Sequence, residues 1–291
     1  TAQHVSSKQG KIQAGGSSKL QLKSLDNTEG VVYAAEQLEL TATESLNNQK
    51  GTIAAEKQAD LQAGTINNEA GQIRSQQEQL TLNVQNDLNN FSGEISAAKN
   101  LEIKAKNIQN QKGKVVAGQS LQVDAQQIDN TEGVLYAKAQ QNLTVSEQLN
   151  NQSGTVVANQ QLQVNAGALN NNAGKIRSEQ NQLDLNIQNN LDNQSGEIFA
   201  GTDAKINAAV LDNQQGVVYS KQYLGLDAVQ LKNQQGQIFA EGQAQLNVKG
   251  SIDNHKGVLA AKQNLAIQTG TLNNQEGTLR SENADLNVHA Q

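Results

Sequence analysis

The chain of 291 residues carries 22 basic and 28 acidic side chains, a net charge of −6, 2% aromatic residues, and no Cys, Pro, Met or Trp. A negative sum of well-mixed charge excludes the basic stripe that a phosphate backbone needs, so nucleic acid is not an expected partner. The missing Cys excludes disulfides, thiolate metal sites and a cysteine nucleophile.

From the first residues onward one pattern returns about every 20 positions, aliphatic-polar-Asn-x-x-Gly, as in Leu272-Asn273-Asn274-Gln275-Glu276-Gly277. Its glycines are Gly10, Gly30, Gly51, Gly71, Gly93, Gly113, Gly133, Gly154, Gly174, Gly196, Gly216, Gly236, Gly257 and Gly277. Three residues before each stands Asn, from Asn27 to Asn274, except in the first copy, where Ser7 takes its place. A fixed period overrides the one or two globular domains that the length alone suggests, so residues 1–291 read as one repeat domain.

Two residues after each Gly comes an aliphatic side chain (Ile12, Val32, Ile53, continuing to Leu279), and four after it Ala or Ser, which puts both on one face of a strand. A second alternating run follows, as in Leu101-Glu102-Ile103 and Leu162-Gln163-Val164, and a third inward residue (Leu46, Ile108, Leu191, Leu231) precedes the next Asn. Alternation of period two in runs of three to five residues, punctuated by Asn and Gly, favours strands over a helical repeat. The absence of Pro suits ladders that need every N–H. These elements predict an all-β, right-handed parallel β-helix, a solenoid of about 14 coils of 20–22 residues. At about 4.8 Å per coil it would form a rod on the order of 65 Å long. A single coil buries too little to stand alone, so ends need caps or neighbours. With no evident cap at Thr1 or Gln291 and no Met, the expectation is a segment of a longer shaft.

The turn residues, for example Asn193, Asn213 and Asn233 with Gly196, Gly216 and Gly236, read as structural. Asn tolerates a left-handed backbone, and its amide can bond both the local chain and the Asn stacked above. Gly admits either a positive φ or a close approach by the neighbouring coil. The glycine spacings run 20, 21, 20, 22, 20 and then repeat, a superperiod of 103 residues over five coils. Gly71-Gln72-Ile73-Arg74-Ser75 thus returns as Gly174-Lys175-Ile176-Arg177-Ser178 and Gly277-Thr278-Leu279-Arg280-Ser281. The longer coils should place their extra residues in a corner or bulge.

The repeat unit Leu211-Asp212-Asn213-Gln214-Gln215-Gly216-Val217-Val218-Tyr219-Ser220 resembles the haemagglutinin repeats of filamentous haemagglutinin and of contact-dependent growth-inhibition exoproteins, along essentially the whole chain. The resemblance implies a Gram-negative protein exported by an outer-membrane two-partner-secretion transporter and displayed on the cell surface. Scarce Cys suits such export. It implies a role as a shaft or spacer, and names no receptor. The first alternative is a module that binds a glycan or a host or bacterial cell-surface protein through its outer face.

The outward position three after Gly holds Tyr33, Tyr136, Phe199, Tyr219 and Phe239, and the last three lie on consecutive coils. They are expected to stack as a strip about 5 Å apart, either to grip a sugar or a partner protein or to form a self-stabilising ladder. Asp192 and Asp212 align as a weak candidate cation site, with Lys232 next in line and no calcium-roll pattern. His4, His255 and His289 are too scattered to share a metal, and no cofactor is expected. A polysaccharide-degrading enzyme is the weaker alternative, since Arg74, Arg177 and Arg280 lie five coils apart and the short connections build no cleft for clustered catalytic groups. Threonines at scattered offsets argue against ice binding. Asn90, Asn142, Asn151 and Asn193 begin Asn-x-Ser/Thr sequences, but three of them are turn asparagines. No apolar run approaches the roughly 18 residues of a transmembrane helix, and nothing at the start reads as a signal peptide.

Overall fold

A computed structural model describes residues 3–290, so the expectation about caps at Thr1 and Gln291 lies outside the described residues. Within them the chain is strand and tight turn, without a helix, and makes about fourteen turns of a parallel β-solenoid. By contacts it falls into two units, Thr1–Ser146 and Glu147–Gln291.

In each unit the four residues after every turn glycine form a short strand, for example Val31–Ala34, Thr52–Ala55 and Gln72–Ser75 in the first and Glu197–Ala200, Val217–Ser220 and Gln237–Ala240 in the second. Successive copies pair in parallel and in register: Val32 lies beside Ile53 and Ile53 beside Ile73, as Ile198 lies beside Val218 and Val218 beside Ile238. The second and third inward runs share the other sheet. Most coils join them in one strand of nine or ten residues such as Leu38–Asn47, while the 22-residue coils split them, as in Leu80–Val84 and Asp87–Asn89. The extra residues of these coils sit in the corners, and those of the 21-residue coils in register shifts such as that between Ala42 and Ser45. The core is correspondingly thin. Val32, Ala34, Leu38, Leu40 and Leu46 are at most 1% exposed, and their equivalents repeat this at nearly every turn. Gln141 breaks the pattern: it is fully buried among aliphatics, and neither amide atom has a partner.

The turn explains both invariant residues, with one correction to the sequence reading. Gly30 N donates to Asn27 O at 2.9 Å, closing a four-residue β-turn. The left-handed residue is neither the Asn nor the Gly. It is the residue just before the Gly, from Gln9 and Glu29 to Gln235 and Glu276, with φ between 51° and 58°, and no glycine has a positive φ. This is the φ pattern of a type II turn, whose third position usually requires Gly. Here the glycine is displaced by one position because stacking demands it there. A Cβ on Gly51 would lie 2.2 Å from Asn27 O of the coil beneath and 2.6 Å from Asn48 Oδ1, and one on Gly216 would lie 2.1 Å from Asn193 O. Close approach, not conformational freedom, is what these glycines supply.

The asparagines point inward and are 0% exposed from Asn27 to Asn254. Asn213 Nδ2 donates to Asn233 Oδ1 of the next coil at 2.7 Å and also faces Gly216 O at 3.2 Å and Gln237 O at 3.3 Å. With two hydrogens for three acceptors, one N–H serves the column and the other is shared between the carbonyls. The same bonds recur within each unit, at 2.6 to 2.8 Å along the column. At the foot of the column Ser7 is too short to continue it, and Asn27 Oδ1 is left unpaired.

Two neighbouring substitutions separate the roles. Ala173, left-handed at φ 52, carries backbone strain that Ala173→Gly should relieve by about 1 kcal/mol. Gly174→Ala should destabilise by about 2 kcal/mol or more, because its Cβ would sit 2.2 Å from Asn151 O. Chemical denaturation of both variants checks the opposite signs.

Candidate functional site

The outward position three after Gly is fixed between two buried side chains, so whatever stands there lies in a column along the outer face. In the second unit this column reads Val157, Arg177, Phe199, Tyr219, Phe239, Ala260, Arg280 in strict register. The three expected aromatics do come together. Phe199 and Tyr219 stack with centroids 5.4 Å apart and planes 6° from parallel, and Tyr219 and Phe239 lie 5.7 Å apart at 31°. Such pairs contribute about 0.5–1.5 kcal/mol each beyond area burial. All three rings are half-buried, because their faces are turned to one another.

The Arg177 guanidinium covers the end of the stack, 4.2 Å from the Phe199 centroid, with Lys221 Nζ 5.7 Å away. Arg177 is itself held by Glu179 at 2.7 Å and by Glu197. The Arg177 hydrogen bonds hold the Glu179 carboxyl below its usual range. Tyr219 donates its hydroxyl to Glu241, which also receives Lys262 Nζ at 2.8 Å. Lys262 and then Tyr219 hold the Glu241 carboxyl low, while desolvation and the bond to Glu241 push the Tyr219 phenol up to about 12. The strip is thus a capped and tethered stack. Sequence reasoning found its rings and missed Arg177 as their cap, although the same offset after Gly174 carried that signal.

The first unit has no equivalent strip. One superperiod earlier, Ser96 and Val116 stand where Phe199 and Tyr219 do. Tyr33 stands alone beside Ala54, with its hydroxyl 3.4 Å from Glu56, and Arg74 lies next in register. Arg177 and Arg280 each pair with a nearby glutamate, Glu179 and Glu282.

The aligned carboxylates serve the turn. Asp192 Oδ1 accepts Gln194 N at 2.9 Å and Asp212 Oδ1 accepts Gln214 N at 3.3 Å, while Asp212 Oδ2 faces Lys232 Nζ at 3.5 Å. They belong to an outer column four residues before Gly in which most positions hold Asn or Asp, and such residues bond the N–H two residues on, as Asp26, Asn47, Asn67 and Asn273 do. Asx residues do this in many turns, and the sequence reading overlooked this second column. Among the described residues no group of three or more His, Asp and Glu could hold a metal ion. Asn90, Asn151 and Asn193 are fully buried in the inner column, which leaves no room for a modification there. No helix is long and apolar enough to cross a membrane among the described residues.

A family model described as Haemagglutinin repeat matches the chain six times, at residues 1–50, 34–90, 92–153, 137–195, 180–255 and 236–291. No curated protein sequence and no solved structure matches it.

The Tyr219 phenol generates a pH prediction. Its folded value near 12 exceeds the unfolded value near 10, so its contribution to stability is complete below pH about 10 and is lost as pH rises towards 12. Tyrosinate absorbance should show a component near pH 12 that Tyr219→Phe diminishes, leaving that of Tyr223, which burial and then Asp227 and Asp203 also raise, and the alkaline unfolding of the wild type should begin between these values.

Proposed function

The chain belongs to the haemagglutinin-repeat family, and from that premise we propose that it is a structural shaft segment of a secreted, cell-surface filamentous adhesin or contact-dependent growth-inhibition exoprotein. In this reading an outer-membrane two-partner-secretion transporter of a Gram-negative bacterium exports it, and it holds a distal functional domain away from the cell. The observation that carries the proposal is the uninterrupted inner Asn column within each unit. Within each unit, from Asn27 and from Asn151 onward, each coil is tied to the next through the amide of its Asn, and no described coil spends its length on a long loop. Stiffness and repetition are what a spacer needs, and a chain without Cys folds after export without oxidative pairing.

The same geometry supports a supporting role for the aromatic strip. Rings stacked face to face under a guanidinium splint four successive coils and keep few faces free for a ligand. A recognition role for Phe199, Tyr219 and Phe239 is the second reading, favoured by the half-exposure of their edges beside Val217, which is 37% exposed. We also propose that the segment catalyses nothing, since its connections are too short to build a closed cleft that would shield a substrate from water.

The test is made in the parent protein. Deleting residues 72–174, one superperiod, joins Gly71 to Lys175 in phase. A spacer should still be exported and folded, with delivery to target cells reduced in step with its reach. Complete loss of delivery despite normal surface display would contradict the spacer reading. In parallel, replacing Phe199, Tyr219 and Phe239 with Ala should lower the melting temperature and leave cell binding at the wild-type level; lost binding at unchanged stability would install the second reading.

A further inference from the structure

At the corner that follows the strip in the second unit, an open cavity of about 410 Å³ is lined by Asp203, Lys221, Tyr223, Glu241, Gln243 and Gln263. Tyr223 is an exception in its own column. It stands just before the first core residue of its coil, where neighbouring coils carry Gln182, Asp203, Gln243 and Asn264. Two residues on, Gly225 is an exception in the next column, where Asp184, Lys205 and Gln245 pair in line with it. The two exceptions are reciprocal. A Cβ on Gly225 would lie 2.9 Å from Tyr223 Cε1 and 3.1 Å from its hydroxyl oxygen, so the phenol occupies the space a side chain would take.

The ring is held at both ends. Tyr223 N donates to Asp203 Oδ1 at 3.0 Å, and the hydroxyl lies 3.2 Å from Gln245 Oε1, to which it donates. Unlike the rings of the strip, Tyr223 has neither another ring nor a cation stacked on it among the described residues. The site therefore offers one fixed, unstacked aromatic ring. Around it stand a carboxylate with one oxygen uncommitted by the backbone, two amides that both donate and accept, and an opposed Lys and Glu.

We propose that this cavity binds a sugar residue of a neutral glycan. A pyranose has an apolar C–H face and a rim of hydroxyls, which matches an aromatic platform beside convergent donors and acceptors. Asp203 and Glu241 balance Lys221 and the Lys262 that pairs with Glu241, and leave no net positive charge to favour a phosphate, sulfate or sialic acid. The polar, open lining offers no apolar pocket for a hydrophobic ligand. Asp203 accepts from hydroxyls through its second oxygen, and Gln243 and Gln263 exchange hydrogen bonds with the rim. The proposal goes beyond the shaft reading and does not rest on it, because a spacer can carry a lateral binding site.

The full chain tests the proposal by saturation-transfer NMR with the methyl glycosides of glucose, galactose, mannose and N-acetylglucosamine, and with sialyllactose as the anionic probe. Circular dichroism and melting of each variant run alongside. At least one neutral glycoside should bind saturably, and Tyr223→Ala should weaken it by about tenfold or more. Gly225→Gln, which restores the residue of the next coil and displaces the phenol, should do the same, while Tyr223→Phe keeps the ring and the binding. The proposal is overturned if no neutral glycoside binds the wild type, if only sialyllactose does, or if binding survives in folded Tyr223→Ala. None of these outcomes bears on the deletion test of the shaft.

Discussion

One buried amide per coil governs this structure. The Asn side chain must reach up to the next Asn, across to its own turn and over to the following strand, and it does all three only if successive coils lie in one register at one spacing. Burial makes the demand strict, since a polar group sealed from water costs about 1–3 kcal/mol when left unpaired. The rest of the turn follows from it. The coil above must sit so close that a Cβ on its glycine would overlap the carbonyl of the Asn below. The positive φ that the turn also needs is pushed onto the preceding residue, which is polar or small (Gln, Glu, Lys, Ala or Ser) and never β-branched or aromatic. Each coil accepts a modest backbone strain so that the stacking contact can form.

That division of labour leaves the outside free to vary. Inward positions are bound by packing and by the column, whereas outward positions three after Gly hold Gln, Tyr, Ala, Arg, Ser, Val or Phe with the same backbone. The five-coil period places Arg74, Arg177 and Arg280 at one offset, while Ser96 and Val116 correspond to Phe199 and Tyr219. The capped stack arises where an aromatic follows the recurring Arg in the next coil. The Tyr223 and Gly225 pair is another such departure, one coil corner away. A repetitive solenoid thereby gains local chemistry without disturbing its core.

How much was legible follows from range. Strands, turns, the two inward positions after Gly and the Asn column are written in the period itself, because each repeats at a fixed offset and stacking converts an offset into a contact. The corner placement of the extra residues followed from the same arithmetic. What the sequence did not disclose depended on distances between coils. Gly looks like the obvious left-handed residue until the carbonyl beneath Gly51 is seen 2.2 Å from its missing Cβ. Arg177 looks like one of three isolated arginines until register sets it on Phe199. The outer Asx column was hidden by its mixed composition, with Asp26, Asn47 and Lys232 sharing one position. Tyr223 and Gly225 are each unremarkable alone and informative only as a pair.

The most direct test of the account is Asn213→Asp, which keeps the shape and the accepting oxygen but replaces the Nδ2 donor with a second acceptor facing Gly216 O, Asn233 Oδ1 and Gln237 O. Denaturation and amide hydrogen exchange would be measured at neutral pH and near pH 4. If the buried amide column is the governing constraint, stability falls by about 3 kcal/mol or more at neutral pH, recovers in part when the new carboxyl is protonated, and protection is lost first at the turns of Asn193, Asn213 and Asn233. A loss below about 0.5 kcal/mol, within the range of ordinary surface substitutions, or protection lost evenly over the unit, would contradict it.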